Sequence, residues 1–103
     1  MTRELQILLD RIVPALQPDA IYLFGSRGRG EADWGSDYDL LVVVPDGTPP
    51  ERRTLRAGFD AKHGTGIAAD VIPCRRSVFE RRKHLAGTLS YEAWHHGLRV
   101  YER

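Results

Sequence analysis

A single cysteine, Cys74, rules out an internal disulfide and suits a reducing compartment. No apolar run approaches the roughly 20 residues needed to cross a bilayer, so no membrane partner is expected. No signal peptide opens the sequence, and the expected location is the cytoplasm. Charge of either sign is not in excess. Fifteen Lys and Arg stand against fourteen Asp and Glu, which gives no support to a general nucleic-acid binder. Internal repeats, linkers and low-complexity tracts are missing too. With 42% hydrophobic and 28% charged residues, the composition argues against disorder. The 103 residues make one domain, 1–103, with room for a single modest core.

The hydrophobic pattern predicts alternating helices and strands. Thr2 can cap a helix whose Leu5, Leu8, Leu9, Ile12 and Leu16 recur at three- and four-residue spacing, with Pro14 kinking or ending it near its last turn. Ala20 to Phe24 reads as a buried strand, Ser26 to about Glu31 as a short helix, and Asp37 to Val44 as a second strand. A helix from about Glu51 to His63 carries Leu55, Phe59 and Lys62 on one thin face. Ile67 to Ile72 is a third strand ended by Pro73. Ser77 and Glu80 have capping-box spacing for a basic helix through about His84. Thr88 to His96 is a last helix stopped at Gly97, and Leu98 to Tyr101 alternates as a closing strand. The fold class is therefore α/β (α+β), a small mixed sheet with helices packed on it.

The stretch Gly25 to Val44 (GSRGRGEADWGSDYDLLVVV) holds the chemistry. Side chains two apart on a strand share a face, so Asp37 and Asp39 project together while Tyr38 faces the other way. Alone, two carboxylates at that spacing repel. A pair of divalent cations roughly 3.5–4 Å apart removes the repulsion and suits in-line displacement at phosphorus. Mg²⁺ is the expected ion, because the ligands are hard oxygens and no His or Cys has a matching spacing. Asp70 sits in the middle of an otherwise apolar strand, and because a charge is costly to bury unpaired it needs a partner such as a metal. Should its strand lie beside Asp37 to Val44, it can meet Asp39 and take the proton of an incoming hydroxyl. Gly25 lets a backbone approach closely, the amides after it suit phosphate oxygens, and the Ser26 hydroxyl adds a donor. Arg29 is the better candidate for a triphosphate, with Arg27 undecided.

Gly25-Ser26, ten residues, Asp37-x-Asp39 and a later-strand Asp70 resemble the minimal nucleotidyltransferases of the DNA polymerase beta-like superfamily. The resemblance extends more loosely over nearly the whole chain, its tail included. It implies transfer of a nucleoside monophosphate from a nucleoside triphosphate to a hydroxyl. Asp37, Asp39 and Asp70 are then the metal-binding and catalytic carboxylates, and Gly25 and Ser26 the phosphate-contacting turn. Stand-alone members of this size resemble the antitoxin of a two-gene system whose partner is an all-helical HEPN toxin, a ribonuclease. The implied reaction is adenylylation of a partner tyrosine, with ATP as donor, two Mg²⁺ ions as cofactors, and a homo- or hetero-oligomer as an open possibility. No acceptor-binding second domain is expected, which favours a macromolecular acceptor.

Two other readings stay open. A non-catalytic module could neutralise a partner by occlusion, or the acceptor could be a small-molecule hydroxyl such as an antibiotic. Bland alternatives also stand beside each residue. Asp37 and Asp39 could cap a turn, and Asp70 could be an edge-strand carboxylate facing water. The cluster Arg75, Arg76, Arg81, Arg82 and Lys83 reads as a solvated helix face. Trp34 reads as a locally packed loop aromatic, Trp94 as core or interface, His95 and His96 as packing or surface residues, and Cys74 as buried rather than nucleophilic.

Overall fold

A computed structural model of the chain describes residues 1–28, 30 and 37–103. Arg29, Trp34 and the polar connection 31–36 lie outside the described residues. The elements in order are α1 (Arg3–Leu16), β1 (Ala20–Phe24), α2 (Gly25–Gly28), β2 (Tyr38–Val44), a 3₁₀ turn (Pro50–Arg52), α3 (Leu55–Lys62), β3 (Ala69–Arg75), α4 (Arg76–Arg82), α5 (Leu89–His96) and β4 (Leu98–Glu102). The four strands form one mixed sheet in the order β3-β2-β1-β4, with β1 antiparallel to both β2 and β4 and with β2 parallel to β3.

Alternation along the strands sorts the core into two layers. Ile21, Leu23, Tyr38, Leu40, Val42, Ala69 and Val71 meet Leu5, Leu8, Leu9, Ile12 and Leu16 of α1 and Ala61 of α3. On the opposite face, Tyr22, Phe24, Leu41 and Val43 meet Phe79 of α4 and Ala93 of α5. Because β1 and β2 are covered on both sides, they read as continuous apolar runs.

Local chemistry explains most of the boundaries. The Thr2 hydroxyl accepts from the Leu5 N–H at 3.1 Å and starts α1. Pro14 does not end α1, which runs on to Leu16 and closes with Gln17 at φ 48°. So near the end of the helix, a missing donor disturbs one bond. The helix expected from Glu51 begins at Leu55, where Thr54 accepts from Ala57 N–H at 3.0 Å.

The α3 face is a correction. Leu55 and Phe59 are 67% and 52% exposed, and the helix buries Gly58 and Ala61 instead. Gly58 lies directly against the Val71 carbonyl, where any side chain would overlap. Pro73 does not end β3 either. Tyr38 N–H donates to Ala68 at 3.1 Å, a phase that turns Pro73 away from β2 on an edge strand, where its missing donor is tolerated. The Ser77–Glu80 capping box does not form. Helix α4 begins two residues earlier, with Arg75 as its N-cap, and the Ser77 N–H is taken by the Asp46 carboxylate at 2.9 Å.

Candidate active site

Strand β1 ends at Phe24, whose register partner on β2 is Asp39. The chain turns there through Gly25 at φ +70° into α2. Gly25 packs on the Asp39 side chain so closely that an added Cβ would overlap Oδ2 and stand 3.3 Å from Cγ. The tight turn and the carboxylate are thus in contact across two strands. Ser26 follows, half-buried, as the second residue of α2.

Strand β3 brings the other acid. Asp39 and Asp70 are register neighbours, close enough for the charge of Asp70 to act on the Asp39 carboxyl. By alternation both lie on the sheet face that carries α4 and α5, as do Leu41 and Ile72 two residues further along. Burial pushes the Asp39 carboxyl above its ordinary value, and the negative charges of Asp70 and Asp37 push it further. Asp37 is exposed at the start of the strand and acts on Asp39 through its charge. Asp70 is exposed as well, so the expectation that it needs a partner because it is buried does not apply. What brings it to Asp39 is strand register.

Tyr38, between the two acids, turns to the opposite face. Its hydroxyl meets the Thr2 hydroxyl at 2.9 Å and donates to Glu4 Oε1 at 3.2 Å, which ties the carboxylate-bearing strand to the start of α1. The Arg27 guanidinium lies 4.0 Å over the Tyr38 ring, on the face away from the acids. Arg29 lies outside the described residues. Cys74 is half-buried, and burial pushes its thiol up, which suits a packing role.

Among the described residues, no three His, Cys, Asp or Glu side chains close into a ready cation cage. The Asp39–Asp70 contact still fits a cation. The charges of Asp70 and Asp37 both disfavour an ionised Asp39, and a hard divalent ion offsets that repulsion with positive charge at the same oxygens.

A family model, the nucleotidyltransferase domain, matches residues 5–92. The chain belongs to the nucleotidyltransferase domain family. Its fold is similar to that of a presumptive nucleotidyltransferase from Sulfolobus solfataricus at a TM-score of 0.51 and 15% identity, covering 100% of this chain and 90% of that one. Comparison with curated proteins gives no match. Nucleotidyltransferase domains work with a nucleoside triphosphate and a divalent metal, and nucleotidyl transfer is accordingly the general activity of this chain. Among the described residues, no helix is long and apolar enough to cross a membrane.

Proposed function

We propose that this nucleotidyltransferase domain is a Mg²⁺-dependent adenylyltransferase that modifies a tyrosine of a HEPN-type toxin and thereby acts as its antitoxin. The observation that carries the catalytic part is the packing of the Gly25 turn on Asp39, with Asp70 in register beside it. The acceptor and the antitoxin role rest on the resemblance to minimal nucleotidyltransferases.

In this reading the backbone amides after Gly25 and the Ser26 hydroxyl hold the phosphate oxygens of ATP. Asp37, Asp39 and Asp70 would hold Mg²⁺, which when bound offsets the charge of the phosphates and of the carboxylates themselves. Asp70, exposed at the outer strand, accepts the proton of the incoming hydroxyl. The hydroxyl oxygen attacks the α-phosphorus, the bond to the bridging oxygen breaks, and pyrophosphate leaves. Contact between turn and carboxylate keeps donor and acceptor aligned.

Incubation with α-labelled ATP, Mg²⁺ and a co-purified partner tests this. Labelled tyrosine on the partner is the expected product, and Asp39→Asn should abolish it. Undiminished labelling by Asp39→Asn overturns the mechanism. Suppression of the partner by a variant lacking all three carboxylates overturns the antitoxin chemistry in favour of occlusion.

A further inference from the structure

Past the acids the sheet ends at β3, and along that open edge and onto the α4 side runs a groove that the transfer chemistry described above does not use. Across the sheet the order is the Gly25 turn at the end of β1, Asp39 on β2, Asp70 on β3, and then α3. Donor phosphates held at Gly25 and Asp39 leave the far side of Asp70 to the acceptor. Two adjoining cavities lie there and share Ile72 as floor. One, about 370 Å³, is walled by Leu55, Phe59 and Lys62 of α3 and includes Asp70. The other, about 480 Å³, runs on over Leu41 and Ile72 to Arg53, Arg75 and Arg82.

The apolar wall explains an anomaly in α3. Its two largest hydrophobic side chains, Leu55 and Phe59, face solvent while its packing is done by Gly58 and Ala61. The cationic end is anomalous too. Arg53 Nε is buried with no hydrogen-bond partner. Among the described residues, the acid that feels Arg53 and Arg75 is Asp46, whose carboxylate is already engaged by Ser77. A third cleft, beside β4, shows the contrast. There Arg76 and Arg103 reach Asp19 at 3.4 and 3.7 Å, Lys83 reaches Glu80 at 2.7 Å, and Arg99 reaches Glu102 at 2.9 Å. That cleft has answered its own charges, and the groove beside Asp70 has not.

We infer that this groove is the acceptor-docking site and that its occupant is an extended acidic polypeptide segment. An apolar or aromatic side chain of that segment would pack on Leu55 and Phe59, and its carboxylates would reach Arg53, Arg75 and Arg82. A nucleic-acid strand fits less well. Its phosphates need cations along the whole path, whereas here three arginines sit at one end, and the other is largely apolar, with Lys62 beside the acid Asp70. The reading rests on nucleotidyl transfer to a protein hydroxyl, and binding can be measured apart from that transfer.

The probe is a random glutamate–tyrosine copolymer, with a lysine–tyrosine copolymer as its opposite. Fluorescence anisotropy should show binding of the acidic copolymer that weakens with salt. Arg53→Gln with Arg82→Gln should weaken it at least tenfold, and Phe59→Ser about tenfold, with circular dichroism and MgATP affinity kept. Arg81→Gln, which removes one charge from α4 outside the groove, should change nothing. Equal effects of Arg81→Gln and the groove variants overturn the inference. So does lost MgATP affinity in the groove variants, which makes the groove a nucleoside site, or tighter binding of an oligoribonucleotide than of the acidic copolymer. If the copolymer binds in the groove but no acceptor is ever labelled, the docking inference stands and the transfer reading falls. Labelling lost in Asp39→Asn yet untouched by the groove variants has the opposite meaning.

Discussion

Replacing Gly25 by alanine probes the contact on which the catalytic reading rests. Two costs are expected, and they separate. First, Gly25 sits at φ +70°, and an L-residue held there loses about 1–2 kcal/mol. In a domain of this size that is a fall in melting temperature of roughly 5–10 °C. Second, the new Cβ would overlap Asp39 Oδ2 and lie 3.3 Å from Cγ. The backbone of a buried strand end cannot retreat, so the carboxylate swings away by about 1 Å, a misplacement that costs on the order of 10²-fold in rate. Gly66→Ala is the matched control. Gly66 has φ +72° with nothing within 4 Å, so its alanine bears the backbone strain without touching an acid. Thermal unfolding should show similar losses for both variants. Transfer from α-labelled ATP, assayed well below both melting points, should fall about a hundredfold in Gly25→Ala and stay near wild type in Gly66→Ala. If the two variants retain equal activity, the turn and the carboxylate do not work as one unit.

Three further outcomes follow from particular contacts. Asp39 has its pKa raised in the fold, so its stabilising contribution is complete below the ordinary value of 3.8 and is lost as pH rises through the raised one. Without metal at pH 7, Asp39→Asn should therefore raise stability by less than about 1 kcal/mol, since solvent screens a carboxylate that is only partly buried, with the gain vanishing near pH 4; a variant less stable than wild type at pH 7 contradicts the repulsion. Gly58→Ala gains about 1 kcal/mol of helix propensity but must overlap the Val71 carbonyl, where overpacking costs about 1–3 kcal/mol. Denaturant titration should show a net loss of about 1 kcal/mol, and a net gain means α3 does not pack through its backbone. Tyr38→Phe removes the hydroxyl that joins Thr2 and Glu4, and urea unfolding should register a loss of about 1 kcal/mol with the acids' face intact.

The parts of the fold set by period and punctuation were legible from residues alone. Five apolar residues at helical spacing defined α1, and two apolar runs defined β1 and β2. The Asp-Tyr-Asp alternation placed Tyr38 away from its neighbours. Other features depended on partners distant in sequence. Phe59 and Leu55 suggested the packed face of α3 because apolar area is the usual signal, yet the contact is made by a glycine that has none. Ser77 and Glu80 had the right spacing for a cap, but an aspartate 31 residues away took the amide first. Strand pairing gave Asp70 its neighbour Asp39, while the separate argument from burial failed because an edge strand leaves the side chain exposed. Arg53 carried no sequence signal, since an orphaned Nε exists only once a fold surrounds it.

The parallel pairing of β2 and β3 makes the chemistry a matter of odd and even count. The chain between the two strands is long and punctuated by a tight bend at Pro45–Thr48, where the Thr48 amide returns to the Pro45 carbonyl at 3.0 Å. Extra residues at that bend change the excursion and leave the pairing alone. Loss of Ala69, the one β3 residue before Asp70, with the strand slipping to fill its place would instead swap the side chains that follow between the two faces, sending the acid toward α1 and Val71 toward the phosphates. Divergence in this chain is therefore free in length along the excursion and bound in parity at the strand.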